Sequence, residues 1–88
     1  MKNNIQGWET APVPAYPTYH KTLSGAYVAV HSPTEALRIT TGKVDASIIK
    51  CHPLNVAGME NAKPCTRAEF FEAYIKTINT IYNTIFKL

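Results

Sequence analysis

Residues 66–88 run TRAEFFEAYIKTINTIYNTIFKL. Thr66-Arg67-Ala68-Glu69 has the form of a capping box, in which the Thr hydroxyl accepts from a free amide of the first turn and the Glu side chain reaches back. Behind it Phe71, Tyr74, Ile78, Ile81, Ile85 and Leu88 are spaced 3, 4, 3, 4, 3, with Phe70, Ile75, Tyr82 and Phe86 beside them. At about 100° per residue these positions gather into an arc of roughly 160°. Glu69, Glu72, Lys76, Asn79, Asn83 and Lys87 fall on the other side. A helix over 67–87 follows. Its arc is wider than a two-helix seam needs, and suits a helix on a sheet or one with a sheet on one flank and a second chain on the other. Ile, Thr and Asn are mediocre helix formers, so this helix depends on packing.

Upstream, Gly25–His31 (GAYVAVH) and Val44–His52, which holds Ala46, Ile48, Ile49 and Cys51, read as strands. Between them, Ser32-Pro33-Thr34-Glu35 has the pattern of a helix start, with a Ser cap, Pro at the first position and Glu three residues on. A short helix over 33–41 is the favoured reading. The rival is a hairpin that turns at Ser32-Pro33-Thr34 and continues as a strand over Ala36–Thr41, since Ile39-Thr40-Thr41 is β-branched. Pro53–Pro64, with Asn55, Gly58 and Asn61, reads as a loop.

Pro12, Pro14 and Pro17 make residues 11–18 extended. Trp8, Tyr16 and Tyr19 are expensive to leave in water, so this proline-rich arm is expected to dock. The fold class is therefore α+β: a small sheet from about residues 25–52 backed by the long C-terminal helix. Residues 1–22 are the extended arm and 23–88 the single domain.

The chain has 88 residues, a net charge of +3, 45% hydrophobic and 17% charged residues, with a pI near 9.0. One domain fits this length, near the lower end of what a single core stabilises. Two cysteines exclude a disulfide-dense scaffold, and no apolar run nears the roughly 20 residues that span a bilayer. A cytoplasmic chain without membrane contact is expected, since residues 1–7 lack the apolar stretch of an export signal.

Motifs for chemistry are sparse. Thr41-Gly42-Lys43 ends like a phosphate loop, but Leu37 and Val44 stand where Gly and Ser or Thr belong. Ser24, Ser32 and Ser47 have no nucleophile elbow around them. Glu69 and Glu72 sit in the first turns of the helix, where negative charge is favourable anyway. Of the candidate metal ligands His20, His31, Cys51, His52 and Cys65, only Cys51 and His52 are close, and on a strand their side chains diverge. A Cys51–Cys65 disulfide would stabilise by roughly 3 kcal/mol, but a reducing compartment opposes it. No enzyme, metal or cofactor is expected.

Basic charge is spread evenly: residues 1–30, 31–50 and 67–88 each carry +1. Lys21, Arg38, Lys43 and Lys50 would have to gather on folding to bind nucleic acid, which is the alternative reading. The leading expectation is a non-enzymatic interaction or structural protein, a minor subunit of an assembly or a homo-oligomer, of the kind phages and mobile elements encode. A small inhibitor of one host protein would use the same surface. Its partner-facing residues are expected to be Trp8, Tyr16, Tyr19, Tyr74, Ile78 and Ile81. Removal of residues 1–19 should then abolish assembly, read by light scattering, while the domain stays folded.

Overall fold

A computed structural model describes residues 15–42 and 45–86. The order of elements is β1 (Thr18–Lys21), β2 (Tyr27–Val30), β3 (Ala36–Thr40), β4 (Ser47–Cys51), β5 (Lys63–Pro64) and α1 (Arg67–Phe86). The five strands form one antiparallel sheet in the order β4-β3-β2-β1-β5, so the first four make a meander and β5 returns beside β1. With the helix behind it, this is the expected α+β architecture.

Cross-strand register sorts the side chains into two faces. Tyr19, Ala29, Leu37 and Lys50 form one row, and Lys21, Tyr27, Ile39 and Ile48 the next. Successive residues of a strand point to opposite faces, so both rows share one face. There they meet α1: Phe70 is buried with Ala29 and Ile39, and Tyr19, Phe71 and Tyr74 pack around them. The Phe70 ring lies 5.2 Å from that of Tyr19 and 5.4 Å from that of Phe71. Ala29 has only a methyl group, which leaves room for the Phe70 ring at the middle of the sheet.

The opposite face carries the rows Thr18-Val30-Ala36-Cys51 and His20-Val28-Arg38-Ile49. Its apolar part is covered by the segment from His52 to Ala62, which is more than a plain loop. It folds into two short 3-10 turns, Pro53–Asn55 and Met59–Asn61, and brings buried Val56 and half-buried Met59 against Val28, Val30 and Ala36.

Three sequence expectations are corrected. The favoured short helix over 33–41 is instead the turn and strand of its rival. His31 N–H donates to Glu35 C=O at 2.8 Å, and Ser32 Oγ accepts from Thr34 N–H at 3.2 Å. The Ser therefore caps a turn, and Ala36 and Ile39 are buried in the sheet, paired on both sides. The expected arm does not run to residue 22, because Thr18–Lys21 is a strand between β2 and β5. Deleting residues 1–19 would thus remove half of β1 and the Tyr19 ring, and would not leave an intact domain. Finally, the two long strands expected are each shorter, at Tyr27–Val30 and Ser47–Cys51.

Local chemistry explains the connections. Gly25 has φ 93°, a region that L side chains avoid. It lets Thr22 Oγ1 accept from Ala26 N–H at 3.1 Å, closing the β1–β2 turn around the buried Thr22. At the start of α1 the capping box forms as expected: Thr66 N–H donates to Glu69 Oε1 at 2.8 Å, and Glu69 N–H donates to Thr66 Oγ1 at 3.0 Å.

Because Phe70 joins the helix to the sheet centre, Phe70→Ala is expected to cost about 3–5 kcal/mol. In a domain this small, urea denaturation followed by circular dichroism should show most of the folding free energy gone.

Candidate interaction surface

The sheet takes only one flank of the helical arc. Phe70, Ala73 and Thr77 are buried, with Tyr74 and Ile81 half-buried beside them. About 100° round the helix lies a second stripe. It holds Ile75, Ile78, Tyr82, Ile85 and Phe86, exposed by 58, 40, 52, 67 and 59%. The Tyr82 and Phe86 rings stack along it at 4.6 Å. At its N-terminal end the Arg67 guanidinium lies over the half-buried Phe71 ring at 4.7 Å, closing the stripe there. From Thr77 to Phe86 no residue is charged. Thr80 and Thr84 turn their hydroxyls onto the backbone, donating to the carbonyls of Lys76 and Thr80 at 3.0 and 2.8 Å. The outer half of α1 therefore offers water little beyond Asn79, Asn83 and apolar surface.

The residues expected at a partner interface separate into three groups. Ile78 lies on the exposed stripe. Tyr74 and Ile81 stand on its border with the sheet, half-buried, while Tyr19 is part of the core against Phe70. Tyr16 is exposed, and Trp8 lies outside the described residues. Sequence reasoning passed over Ile75, Tyr82 and Phe86 as flanking positions, and placed Ile85 on the seam without naming it as a contact. The signal that marks them is the run without charge from Thr77 to Phe86, joined to a 3-4-3 spacing at 75, 78, 82 and 85.

The cations proposed for nucleic acid are not gathered. Lys21 is on the helix side of β1, 5.3 Å above the Tyr27 ring. Lys50 shares that face three strands away, paired with Glu35 at 3.3 Å. Arg38 is on the opposite face, and Lys43 lies outside the described residues. Arg38 borders a cleft of about 390 Å³ together with Ser24, Thr40, Thr41 and Asp45. Its Nε is buried without a partner among the described residues.

The candidate metal ligands are also dispersed, and no cluster of three His, Cys, Asp or Glu occurs among the described residues. His52 Nδ1 accepts from Leu54 N–H at 3.1 Å and so caps the first 3-10 turn. Cys51 is on one edge strand, and Cys65 follows the other. Four strand spacings, roughly 19 Å, separate them, far beyond the roughly 7 Å a disulfide spans. Both thiols are free. Burial, with the Glu69 charge adding to it and Lys21 opposing, pushes the Cys65 thiol up and makes it a poor nucleophile. Among the described residues, no helix is long and apolar enough to cross a membrane.

Comparison of the chain with protein-family models, with curated proteins and with solved structures finds no match.

Two groups titrate unusually, Glu69 in the first turn of α1 and His20 on the sheet face opposite it. The Thr66 N–H, joined by the Thr66 hydroxyl side, holds the Glu69 carboxyl below its ordinary value near 4.5. Burial pushes His20 below 6.5. Both groups bind protons more weakly in the folded chain than in the unfolded one, so each stabilises above its unfolded pKa and loses that contribution as pH falls through the folded value. Glu69→Gln keeps a capping side chain but cannot titrate. Its melting temperature is expected to fall less than that of the native chain between about pH 5 and about pH 3. Equal slopes would remove the cap as a source of acid sensitivity.

Proposed function

We propose that the chain is a non-enzymatic interaction or structural protein, a small subunit of an assembly formed in the cytoplasm, and that it makes contact through the outward stripe of α1. The observation that carries this reading is the set of five large apolar side chains left in water, Ile75 and four more on the uncharged half-helix that follows. A helix face meant for solvent normally carries Lys and Glu, which keep the surface hydrated. Here none stands between Lys76 and Lys87. Aromatic and aliphatic side chains of this kind are the ones that give contact area at interfaces. Tyr16, also exposed, adds further such surface.

Less supports the other readings. A nucleic-acid site would need Lys21, Arg38 and Lys50 on one face, and the sheet divides them. A catalytic site would need a nucleophile beside an oriented base. The cleft at Arg38 is lined by hydroxyls and Asp45, without His or Cys. An inhibitor of a host protein would use the same stripe and differ only in what it binds.

The reading is tested by gel filtration of native extract, concentrated so that the chain is loaded at about 300 μM. It is expected to elute at or above twice its 9.8 kDa mass, and Ile85→Glu should return it to the monomer position with its circular dichroism unchanged. A native chain that elutes as a monomer would remove the proposal.

A further inference from the structure

We infer that the occupant of the α1 stripe is a second copy of this chain, packed antiparallel about a two-fold axis near residue 80; this rests on the contact reading above and names its partner. Ile75, Ile78, Tyr82 and Ile85 are spaced 3, 4, 3, the repeat at which two helices interlock side chains at a shallow angle. About residue 80 the set is its own reverse. An antiparallel copy places its Ile85 against Ile75 and its Tyr82 against Ile78, so the same stripe serves both partners, as a two-fold interface requires.

Charge selects the same partner and the same direction. Thr77–Phe86 is uncharged, so a partner bringing Lys, Arg or Glu to it would bury them without counter-charges, at a large cost. A second copy brings the same uncharged half. All described charges of α1, at Arg67, Glu69, Glu72 and Lys76, lie in its first half. An antiparallel pair sends these to opposite ends, whereas a parallel pair would place like charges side by side and align the two helix dipoles. The sheet sits mainly on the first half as well, through Phe70 and Ala73, with Thr77 at the start of the second. Two parallel copies would thus crowd their sheets at one end, while antiparallel copies keep them apart.

Area sets the strength. Five side chains a little over half exposed offer on the order of 400–500 Å² per chain. A standard interface takes about 800 Å² per partner. The pair should therefore be reversible, monomeric near 1 μM and largely dimeric by roughly 300 μM.

Sedimentation equilibrium of the purified full chain across that range tests the inference. The mass is expected to rise from 9.8 kDa toward twice that value. Ile78→Glu should hold it at monomer throughout. Ile85→Glu, farther from the sheet, should do the same if the first variant misfolds. Orientation is read in a background with Cys51→Ala and Cys65→Ala, by mixing Ile78→Cys and Tyr82→Cys proteins under oxidation. Links between the two species should outrun links within either one. A monomer at every concentration overturns the inference, as does a dimer indifferent to both Glu variants or a preference for like-with-like links. A purified monomer that still elutes with a larger complex in native extract overturns the second copy alone and leaves the contact reading standing. A monomer in both settings removes both.

Discussion

The seating of the Phe70 ring over Ala29 governs how the remainder of the molecule is arranged. The ring is large and Ala29 contributes almost no volume, so the helix is drawn onto the sheet at this point. Tyr19 and Phe71 pack against the ring and against each other. Since Phe70 is the fourth residue of α1, the helix is held near its beginning and its later turns project away from the contact. Burial along α1 holds through Phe70, Ala73 and Thr77 and is then lost, by way of the half-buried Ile81, to the exposed Ile85. The sheet is four or five residues deep along its longer strands, about 17 Å at most. A helix of 20 residues is about 30 Å long. The mismatch in length leaves the second half of the helix without a floor.

The other face meets a different shortage. No second helix is available within the described residues, so Val28, Val30 and Ala36 are covered by the segment from His52 to Ala62. That segment supplies its own hydrogen bonds through two 3-10 turns, with His52 and the backbone of Pro53 and Met59 as acceptors. It has few apolar side chains to offer, chiefly Val56 and Met59. The core is thus two thin layers on one sheet. A chain of this size gains little margin from such layers, so further burial elsewhere would have a large proportional effect on stability.

How much of this could be read in advance depends on whether the signal was local. The capping box at Thr66 and Glu69 was legible because both partners lie within one turn. The long helix was legible from its arc, and the sheet from Tyr27–Val30 and Ser47–Cys51. Ser32-Pro33-Thr34-Glu35 misled because the same short polar residues cap helices and close turns alike. The outcome was decided by pairing of Ala36–Thr40 with strands on both sides, which no local pattern states. β1 was hidden for a related reason: Pro17 precedes it, and only Thr18–Lys21 escapes the proline pattern. Of the residues expected at an interface, Ile78 lies on the exposed stripe. Tyr19, which also looked like an adhesive aromatic, went to the core. Aromatic character alone does not tell these fates apart, because the same side chain serves either purpose.

Helix propensity connects the stripe to stability. Thr77–Phe86 is rich in Thr, Ile and Asn, which pay in side-chain entropy or compete for the backbone. Thr80 and Thr84 take the latter course through bonds to the turn before. An isolated segment of this composition and length is a marginal helix in water. In the folded chain it continues a helix nucleated by the Thr66–Glu69 box and fixed by Phe70, so its order is borrowed from the first half. On the proposed reading, covering Ile75–Phe86 would add the burial that the sheet is too short to give. The two halves of α1 then depend on each other. The first half makes the second helical enough to present its stripe, and the contact on the stripe returns stability to the fold that presents it.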